Sequence, residues 1–293
     1  METGVQDPAR LGVTRLPDGR LLGWSEWGPP DGVPVLFCPG AATSRWLGFG
    51  GDVVDGLGIR LVSVDRPGLG ASTPVPGRSL TDFAADMRAF CALRGLGRPA
   101  MVGNSQGAPF ALACTVAGTA STLALVSAAD EVALPEFAPM LPAELRDLVE
   151  LTGRDPAGAE AVFRRFDAEA MWGLVMGASP DCDRTVYQDP VFSAAYRRAL
   201  AEAFAAGPEG YARDTVLAMG RWRLDLAAID VPVEVWYGSR DTGHSPDQGE
   251  LLTTRIPGAQ RHVVPEAGGA LLWTHAGPIL RRLVRQAGVP AQG

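Results

Sequence analysis

The sequence contains no lysine, so all 26 of its basic residues are arginines. Without lysine the chain has no ε-amine for a Schiff base and no anchor for pyridoxal phosphate. The arginine bias, with the richness in alanine, glycine and proline, is typical of a high-GC bacterial genome rather than of a binding site. A net charge of −7 argues against nucleic acid and against an anionic membrane surface as partners.

Cysteine is scarce, and long apolar runs are missing. The four cysteines, Cys38, Cys91, Cys114 and Cys182, form no CxxC pair, and the first three lie in apolar segments typical of buried thiols. No run reaches the roughly 20 apolar residues of a transmembrane helix. The first ten residues, METGVQDPAR, lack the basic and apolar regions of a signal peptide. We therefore expect a cytoplasmic protein without membrane association, and we expect neither a metal site nor a cofactor.

Short apolar segments rich in β-branched residues alternate with amphipathic segments along most of the chain. The predicted elements are a hairpin within the first 30 residues, strand 33–38, helix 44–57, strand 59–65, helix 79–94, strand 100–104, a helix from 106, strand 122–128, strand 231–238, a helix capped by Ser245, strand 260–265 and a helix from about 270 to 286. Such alternation is typical of a parallel sheet covered by helices on both faces.

The alternation stops between residues 131 and 225. This stretch reads as mostly helical and contains no comparable buried strand. We therefore predict a core made of residues 1–130 and 226–293, with 131–225 as an inserted helical cap, or lid. A chain of 293 residues that is 46% hydrophobic is long enough for one large core and such an insertion.

The pentapeptide GNSQG, residues 103–107, has the form G-x-S-x-G and lies between a predicted strand and a predicted helix. This is the context of a nucleophile elbow, a sharp turn that exposes a strained serine hydroxyl. Gly103 and Gly107 remove side chains that would collide in the turn. The pattern predicts Ser105 as a nucleophile.

Three segments together resemble the α/β-hydrolase superfamily, in its lid-bearing, lipase- and esterase-like bacterial branch. They are DRPGLGAS (65–72), GNSQGAPFALA (103–113) and WYGSRDTGHSP (236–246). The resemblance covers nearly the whole chain. It implies an α/β-hydrolase fold, with a mostly parallel eight-stranded sheet, flanking helices and an inserted helical lid. Arg66 in the first segment is expected to shape its loop rather than to take part in chemistry.

The same resemblance implies roles for residues around the elbow. Asp241, after the seventh strand, would be the acid of a catalytic triad, and Asp130, after the sixth strand, is the alternative. The backbone N–H groups of Gln106 and Ala41 would form the oxyanion hole. The family usually has His-Gly at the start of the loop after the third strand, which carries Ala41; this chain has Pro39–Gly40 there.

The base of the triad is missing from its expected place. The chain order Ser-Asp-His of the family puts the histidine at position 269, which is Gly269 here. Of the three histidines, His262 falls inside a predicted strand and His275 well into the last helix. His244, three residues after Asp241, is the one substitute that the fold would bring near the elbow; the alternative is a solvated loop histidine. The resemblance also predicts that Gly269→His would supply the missing base.

The cap offers large apolar side chains for a substrate pocket, although such residues can equally form the core of the cap. They are Phe163, Phe166, Met171, Trp172, Met176 and Trp222. Pro39, Gly40 and Asp130 are further pocket candidates. We expect an apolar small-molecule substrate.

Three functions remain open at this level. The first is hydrolysis of an ester, lactone or thioester by Ser105 with a displaced base. The second is a non-hydrolytic biosynthetic reaction of the lyase or cyclase type in the same pocket. The third is binding of a small molecule without catalysis. Because loss of the triad histidine in a serine protease costs roughly 10⁶ in turnover, fast hydrolysis requires His244 to act as the base. We expect an enzyme that acts on a carbonyl-containing small molecule, with hydrolysis as the first of the three functions.

Overall fold

The computed structural model describes residues 4–288 and contains an eight-stranded sheet in that range. The strands are β1 (Arg10–Arg15), β2 (Leu21–Trp27), β3 (Val33–Cys38), β4 (Ile59–Val64), β5 (Ala100–Ser105), β6 (Thr122–Ala128), β7 (Val233–Gly238) and β8 (Gln260–Val264). Their order across the sheet is β1-β2-β4-β3-β5-β6-β7-β8. The β1–β2 and β2–β4 pairs are antiparallel and the others are parallel. This is the predicted α/β-hydrolase fold.

Helices follow most strands. They are α1 (Gly51–Gly56), α2 (Leu80–Arg94), α3 (Ala108–Val116), α4 (Ala143–Arg154), α5 (Pro156–Phe163), α6 (Ala168–Ala178), α7 (Asp181–Tyr187), α8 (Pro190–Ala203), α9 (Glu209–Met219), α10 (Glu250–Thr254), α11 (Leu271–Thr274) and α12 (Ala276–Gln286). Short 3₁₀ segments occupy 135–140 and 226–228. In the range that the structure covers, no helix has both the length and the apolar character needed to cross a bilayer.

The two faces of the sheet carry separate apolar clusters, because successive strand residues point to opposite faces. Val35 and Phe37 belong to one cluster, while Leu36 and Cys38 belong to the other. The first cluster also takes in side chains from α5 to α9. Strands β3 to β7 are therefore mostly buried on both faces, as their continuous apolar runs predict, whereas the edge strands β1 and β8 are partly exposed.

The predicted helix 44–57 is mostly wrong, since α1 begins only at Gly51. Residues 44–50 use their backbone groups for tertiary contacts instead of helical hydrogen bonds. The Arg45 N–H donates to Asp65 Oδ1 over 2.6 Å, and the Ser44 N–H donates to the Ala199 carbonyl over 3.3 Å. Gly50, with a φ of 68°, ends the loop.

The helix predicted from Ser245 is also shorter than expected. α10 begins at Glu250, because Gln248 and Gly249 have positive φ values of 56° and 75° that no helix accommodates. The C-terminal helix, in turn, is interrupted at His275, which separates α11 from α12. The helix predicted from 106 begins at Ala108.

Residues 131–225, called the cap segment below, lie between β6 and β7. They contain α4 to α9 and one of the 3₁₀ segments, and no strand of the described sheet comes from them. Their apolar side chains join the cluster on one face of the sheet. The assignment of the segment as a separate cap domain stays a prediction.

Candidate functional site

A sharp turn joins β5 to α3 and carries Ser105. The φ of Ser105 is 49°, in the left-handed region where a side chain is strained. A Cβ at Gly107 would overlap the carbonyl oxygen of Cys38, and one at Gly103 would lie 2.9 Å from the Ala111 Cβ. The turn therefore closes only with glycine at both positions, and Ser105 lines the cavity above it.

The two residues predicted for the oxyanion hole, Ala41 and Gln106, line the same cavity as Ser105. Within residues 4–288 neither backbone N–H donates to another protein group. The Gln106 side chain is held by its Nε2, which donates to Thr215 Oγ1 of α9 over 3.0 Å. Both backbone donors are thus available to an oxygen of a bound molecule.

Arg66 fixes the loop that carries Ala41. Its guanidinium, which is fully buried, donates to the carbonyl oxygens of Pro39 and Gly40 over 2.5 and 2.9 Å. It also pairs with Asp214 of α9 at 2.6 Å. Arg66 therefore ties the loop after β3 to the cap segment, and it needs no contact with a substrate to do so.

Asp241 and His244 form a hydrogen-bonded pair in the loop after β7. His244 Nδ1 lies 2.9 Å from Asp241 Oδ1 and 3.0 Å from Oδ2. The backbone N–H groups of Gly243 and His244 reach Oδ1 at 3.3 Å each. Both side chains line the cavity that holds Ser105. Among the described residues, the Ser105 hydroxyl makes no hydrogen bond, so its contact with His244 is not closed in this state.

Opposing effects act on the ionisation of this pair. Burial disfavours the charged imidazole, but the carboxylates of Asp241 and, more weakly, Asp183 outweigh burial and raise the pKa of His244 above its usual value. Burial likewise opposes ionisation of Asp241, yet His244 and the Gly243 N–H keep the pKa of that carboxyl below its usual range. The carboxylate and a protonated imidazole thus stabilise each other in this loop.

Asp130, the alternative acid, contacts the backbone of the same loop. Its N–H donates to the carbonyl oxygen of His244 over 3.1 Å, and its carboxylate accepts from Ser245 Oγ at 2.9 Å and from the Glu131 N–H at 2.8 Å. Burial raises the pKa of Asp130 to about 6. Asp130 thus anchors the segment that carries His244, whereas the imidazole bonds to Asp241.

Gly269, where the family places its histidine, lies against the His244 ring. A Cβ built on Gly269 would lie 2.7 Å from His244 Cε1 and 3.1 Å from its Nδ1. The imidazole of His244 thus occupies the space that a side chain at 269 would enter. A side chain at position 269 therefore requires the His244 ring to shift, and the expectation that Gly269→His supplies a base stays a prediction.

The other two histidines lie away from the cavity lining. His262 stacks on Trp236, with ring centroids 4.1 Å apart, and bonds to Glu234 at the edge of the sheet. His275 stands between α11 and α12, where its Nδ1 lies 2.9 Å from Thr274 Oγ1. Neither shares the cavity with Ser105.

The cavity has a volume of about 360 Å³, and mostly apolar side chains line it. Four predicted pocket residues are part of its wall: Pro39, Gly40, Asp130 and Met171. Asp130, Asp183 and Asp241 supply three carboxyl groups to the lining, whereas no arginine of the described chain belongs to it. The site is therefore apolar with an acidic rather than a basic polar component.

Five predicted pocket residues do not belong to the lining, and two of them, Phe163 and Phe166, pack against Tyr211 of α9. Trp172 packs edge-on against Tyr196 of α8, and Met176 packs partly buried beside it in the cap segment. Trp222 is buried under the sheet, where its backbone N–H donates to Glu131 and its indole N–H to the Ala218 carbonyl. Each of these side chains is used in packing.

Sequence reasoning missed several cap residues that line the cavity, chiefly Asp183, Tyr187 and Thr215. Asp183 of α7 is buried, and its carboxylate accepts hydrogen bonds from the N–H groups of Gly269 and Ala270. No local motif marks an aspartate that crosses to a glycine pair so far along the chain. The pair Gly268–Gly269 was the available signal, since consecutive glycines permit close approach of other groups.

The assembled groups are those of acyl transfer. A strained serine, two unpaired N–H donors and an acid–imidazole pair share one cavity. Residues 4–288 contain no cluster of three or more His, Cys, Asp or Glu side chains placed to hold a metal ion.

A family model described as the alpha/beta hydrolase fold matches residues 33–276. One relative, a 2-hydroxy-6-oxononadienedioate/2-hydroxy-6-oxononatrienedioate hydrolase from Pseudomonas putida, is 25% identical over 96% of this chain and 97% of its own length. A proline iminopeptidase from Neisseria meningitidis is 31% identical, but over only 37% of this chain and 36% of its own.

Solved structures share the fold at low sequence identity. An esterase from Thermogutta terrifontis superposes with a TM-score of 0.64 at 21% identity, covering 96% of this chain and 100% of the other. An enol-lactonase from Burkholderia xenovorans LB400 also gives 0.64, at 18% identity over 95% and 100%. At such identities the likeness concerns the fold.

Proposed function

The chain belongs to the α/β-hydrolase fold family, and on that premise we propose that it hydrolyses an ester, lactone or thioester with Ser105 as nucleophile. The observation that carries the proposal is the Asp241–His244 pair, which lines the same cavity as the strained serine. The pair provides an imidazole although position 269 is glycine.

In the proposed reaction the Ser105 oxygen attacks the substrate carbonyl carbon while His244 Nε2 takes the hydroxyl proton. The carbonyl oxygen becomes an oxyanion that accepts hydrogen bonds from the Ala41 and Gln106 N–H groups. Asp241 stabilises the imidazolium. The imidazolium then gives its proton to the leaving alcohol or thiol, and the carbon–heteroatom bond breaks to leave an acyl-serine. Water, deprotonated by His244, attacks this acyl group, and Ser105 leaves with the proton.

The mechanism requires His244 to approach the Ser105 hydroxyl when substrate is bound. Catalytic hydrogen bonds are often open in unliganded enzymes and close in the substrate complex. Closure here involves the short loop of Asp241 and His244, which is pinned at its Asp130 contact.

The cavity supports an uncharged, largely apolar substrate. Its lining presents three carboxyl groups and, among the described residues, no arginine to pair with an anionic substrate. A dicarboxylate such as the one named for the Pseudomonas putida relative would meet like charges here. The helices of the cap segment contribute much of the apolar wall, which fits the role of a lid over the site. The predicted cytoplasmic location stays a prediction.

The test measures hydrolysis of neutral p-nitrophenyl esters and of lactones, together with labelling by a fluorophosphonate probe. We expect Ser105→Ala to abolish both, and His244→Ala to lower kcat/KM by about 10⁴ or more. His275→Ala, a histidine outside the cavity, is the matched control and should retain full activity.

Labelling of Ser105 without hydrolysis of any ester or lactone would favour a non-hydrolytic biosynthetic reaction in this pocket. A protein that binds a small molecule, returns it unchanged and resists the probe would be a binding protein. Hydrolysis that survives Ser105→Ala would refute the proposal outright.

A further inference from the structure

Asp183 of the cap segment crosses to the loop between β8 and α11. Its Oδ2 accepts the N–H of Gly269 at 2.6 Å, and its Oδ1 accepts the N–H of Ala270 at 3.0 Å. The side chain is 3% exposed. Two charge-assisted hydrogen bonds to a buried carboxylate are a strong and specific contact. The contact therefore defines the position of this loop relative to α7.

The glycine pair leaves room for two side chains from other parts of the molecule. A Cβ at Gly268 would overlap the carboxylate of Asp183. A Cβ at Gly269 would lie 2.7 Å from His244 Cε1 and 3.5 Å from Asp183 Oδ2. Asp183 and His244 thus sit side by side over the two glycines, in space that larger residues would fill.

The charged groups that face His244 come from different elements. Asp241 lies in its own loop, Asp183 comes from α7, and Asp130, after β6, contacts it through the backbone. Tyr187 of α7 completes the wall and is neutral, since burial raises its pKa well above the usual value. Asp183 is the second carboxylate that favours the imidazolium, after Asp241.

We propose that Asp183 is a positioning residue of the reaction. It holds the Gly268–Ala270 loop in the position where the His244 ring packs against it, and it places a second carboxylate beside that ring. The inference rests on the proposed function. It also links the cap segment to the reaction, because the Asp183 carboxylate lies beside His244 only when α7 packs against the core as it does here. The histidine at 244 and the glycine at 269 both depart from the family pattern, and the Asp183 side chain that lies beside both makes the two departures depend on each other.

The test compares Asp183→Asn with wild type. The asparagine keeps the shape but loses the charge and one acceptor. The acidic limb of the kcat/KM profile reports the free enzyme's base, which must be neutral to act. Removing a neighbouring carboxylate lowers the pKa of His244, so we expect this limb to move to lower pH by about half a unit to one unit. We expect kcat to fall roughly tenfold, since one of the two oxygens that accept from the Gly269 and Ala270 N–H groups is lost.

Asp181→Asn is the matched control. Asp181 begins the same helix, but its side chain is 94% exposed and pairs with Arg184. It should leave both the profile and kcat unchanged. Asp183→Glu tests rescue of the charge, and Gly268→Ala tests the contact from the other side, since it should displace the Asp183 carboxylate and move the limb in the same direction.

A readout without turnover separates this inference from the proposed function. The chain has only three histidines, so an NMR titration of the imidazole C–H protons, with His244→Ala for assignment, follows each one. A lower pKa of His244 in Asp183→Asn supports the inference even if no ester is cleaved. An unmoved His244 titration in a variant that melts like wild type overturns it, as does an equal effect of Asp181→Asn.

Discussion

Moving the imidazole from position 244 to position 269 tests the geometry of the site. The structure places a Cβ at 269 only 2.7 Å from His244 Cε1, whereas carbon atoms in contact lie about 3.5–4.0 Å apart. Gly269→His alone therefore places its Cβ inside contact distance of the His244 ring, so that this ring must shift. We expect this single variant to lose stability by about 1–3 kcal/mol, a typical cost of overpacking, and to be less active than wild type.

The double variant His244→Ala/Gly269→His removes the collision. Gly269 is absent from the residues with positive φ, so its backbone accepts a side chain. The new imidazole would arise where the family carries its base, with Asp241 still in place. We expect His244→Ala to lose about 10⁴ or more of kcat/KM and the double variant to recover at least about tenfold of that loss.

The assay is hydrolysis of p-nitrophenyl butyrate, and thermal melting confirms folding. Ser105→Ala in each background measures the hydrolysis that comes from contaminating esterases. A Gly269→His protein as stable and as active as wild type would refute the shared-space argument. A folded double variant that is no more active than His244→Ala would refute it as well. That result would mean that removing the His244 ring does not make room for a working histidine at position 269.

Three further predictions concern the framework around the site. Arg66→Met should lower the free energy of unfolding by about 3–5 kcal/mol, because it leaves Asp214 buried with one partner fewer, and should reduce kcat about tenfold or more as the Ala41 loop loosens. Gly107→Ala should prevent folding, since its Cβ overlaps a backbone carbonyl, whereas Gly153→Ala in α4, where a Cβ meets nothing within 4 Å, should stabilise by about 0.5–1 kcal/mol. Asp130→Asn should gain stability relative to wild type as pH rises from about 4 to 7, by up to about 3 kcal/mol, because the folded-state pKa of about 6 lies above the ordinary value and the wild-type protein loses stability as pH rises from that ordinary value through the folded one.

Chemical denaturation across pH checks all three. The control for Arg66 is Arg197→Met, an exposed arginine paired with Glu169, which should change stability by less than about 1 kcal/mol. An Arg66 variant that matches this control contradicts the clamp. Equal stability of Asp130→Asn and wild type at every pH would mean that the hydrogen bonds to Asp130 offset its burial.

The core of the fold could be predicted from sequence because its signals are local. The strands are short apolar runs, and the elbow is a pentapeptide whose glycines have no steric alternative. The helix at 44–57 failed for the opposite reason. Its backbone groups bond to Asp65 and Ala199, which no window around residue 44 contains.

In the candidate site, too, the contacts within one loop could be foreseen from the sequence more readily than the contacts between distant segments. Asp241 and His244 are three residues apart in one loop, so the sequence could offer their pairing as one interpretation beside a solvated loop histidine, and the structure places the two side chains in hydrogen-bond contact. The contact of Asp183 with Gly269 joins positions 86 residues apart through the docking of a helix. Sequence alone marked Gly269 as a gap and could not show that two other side chains fill it.

Asp241 and the imidazole of His244 lie on one loop, whereas the usual chain order of the family takes the acid and the histidine from two separate segments. A pair within four residues is inherited as a unit: an insertion, a deletion or a recombination elsewhere in the chain leaves their mutual geometry intact. The C-terminal segment from β8 to α12 then supplies the two glycines, Gly268 and Gly269, that leave room for Asp183 and His244.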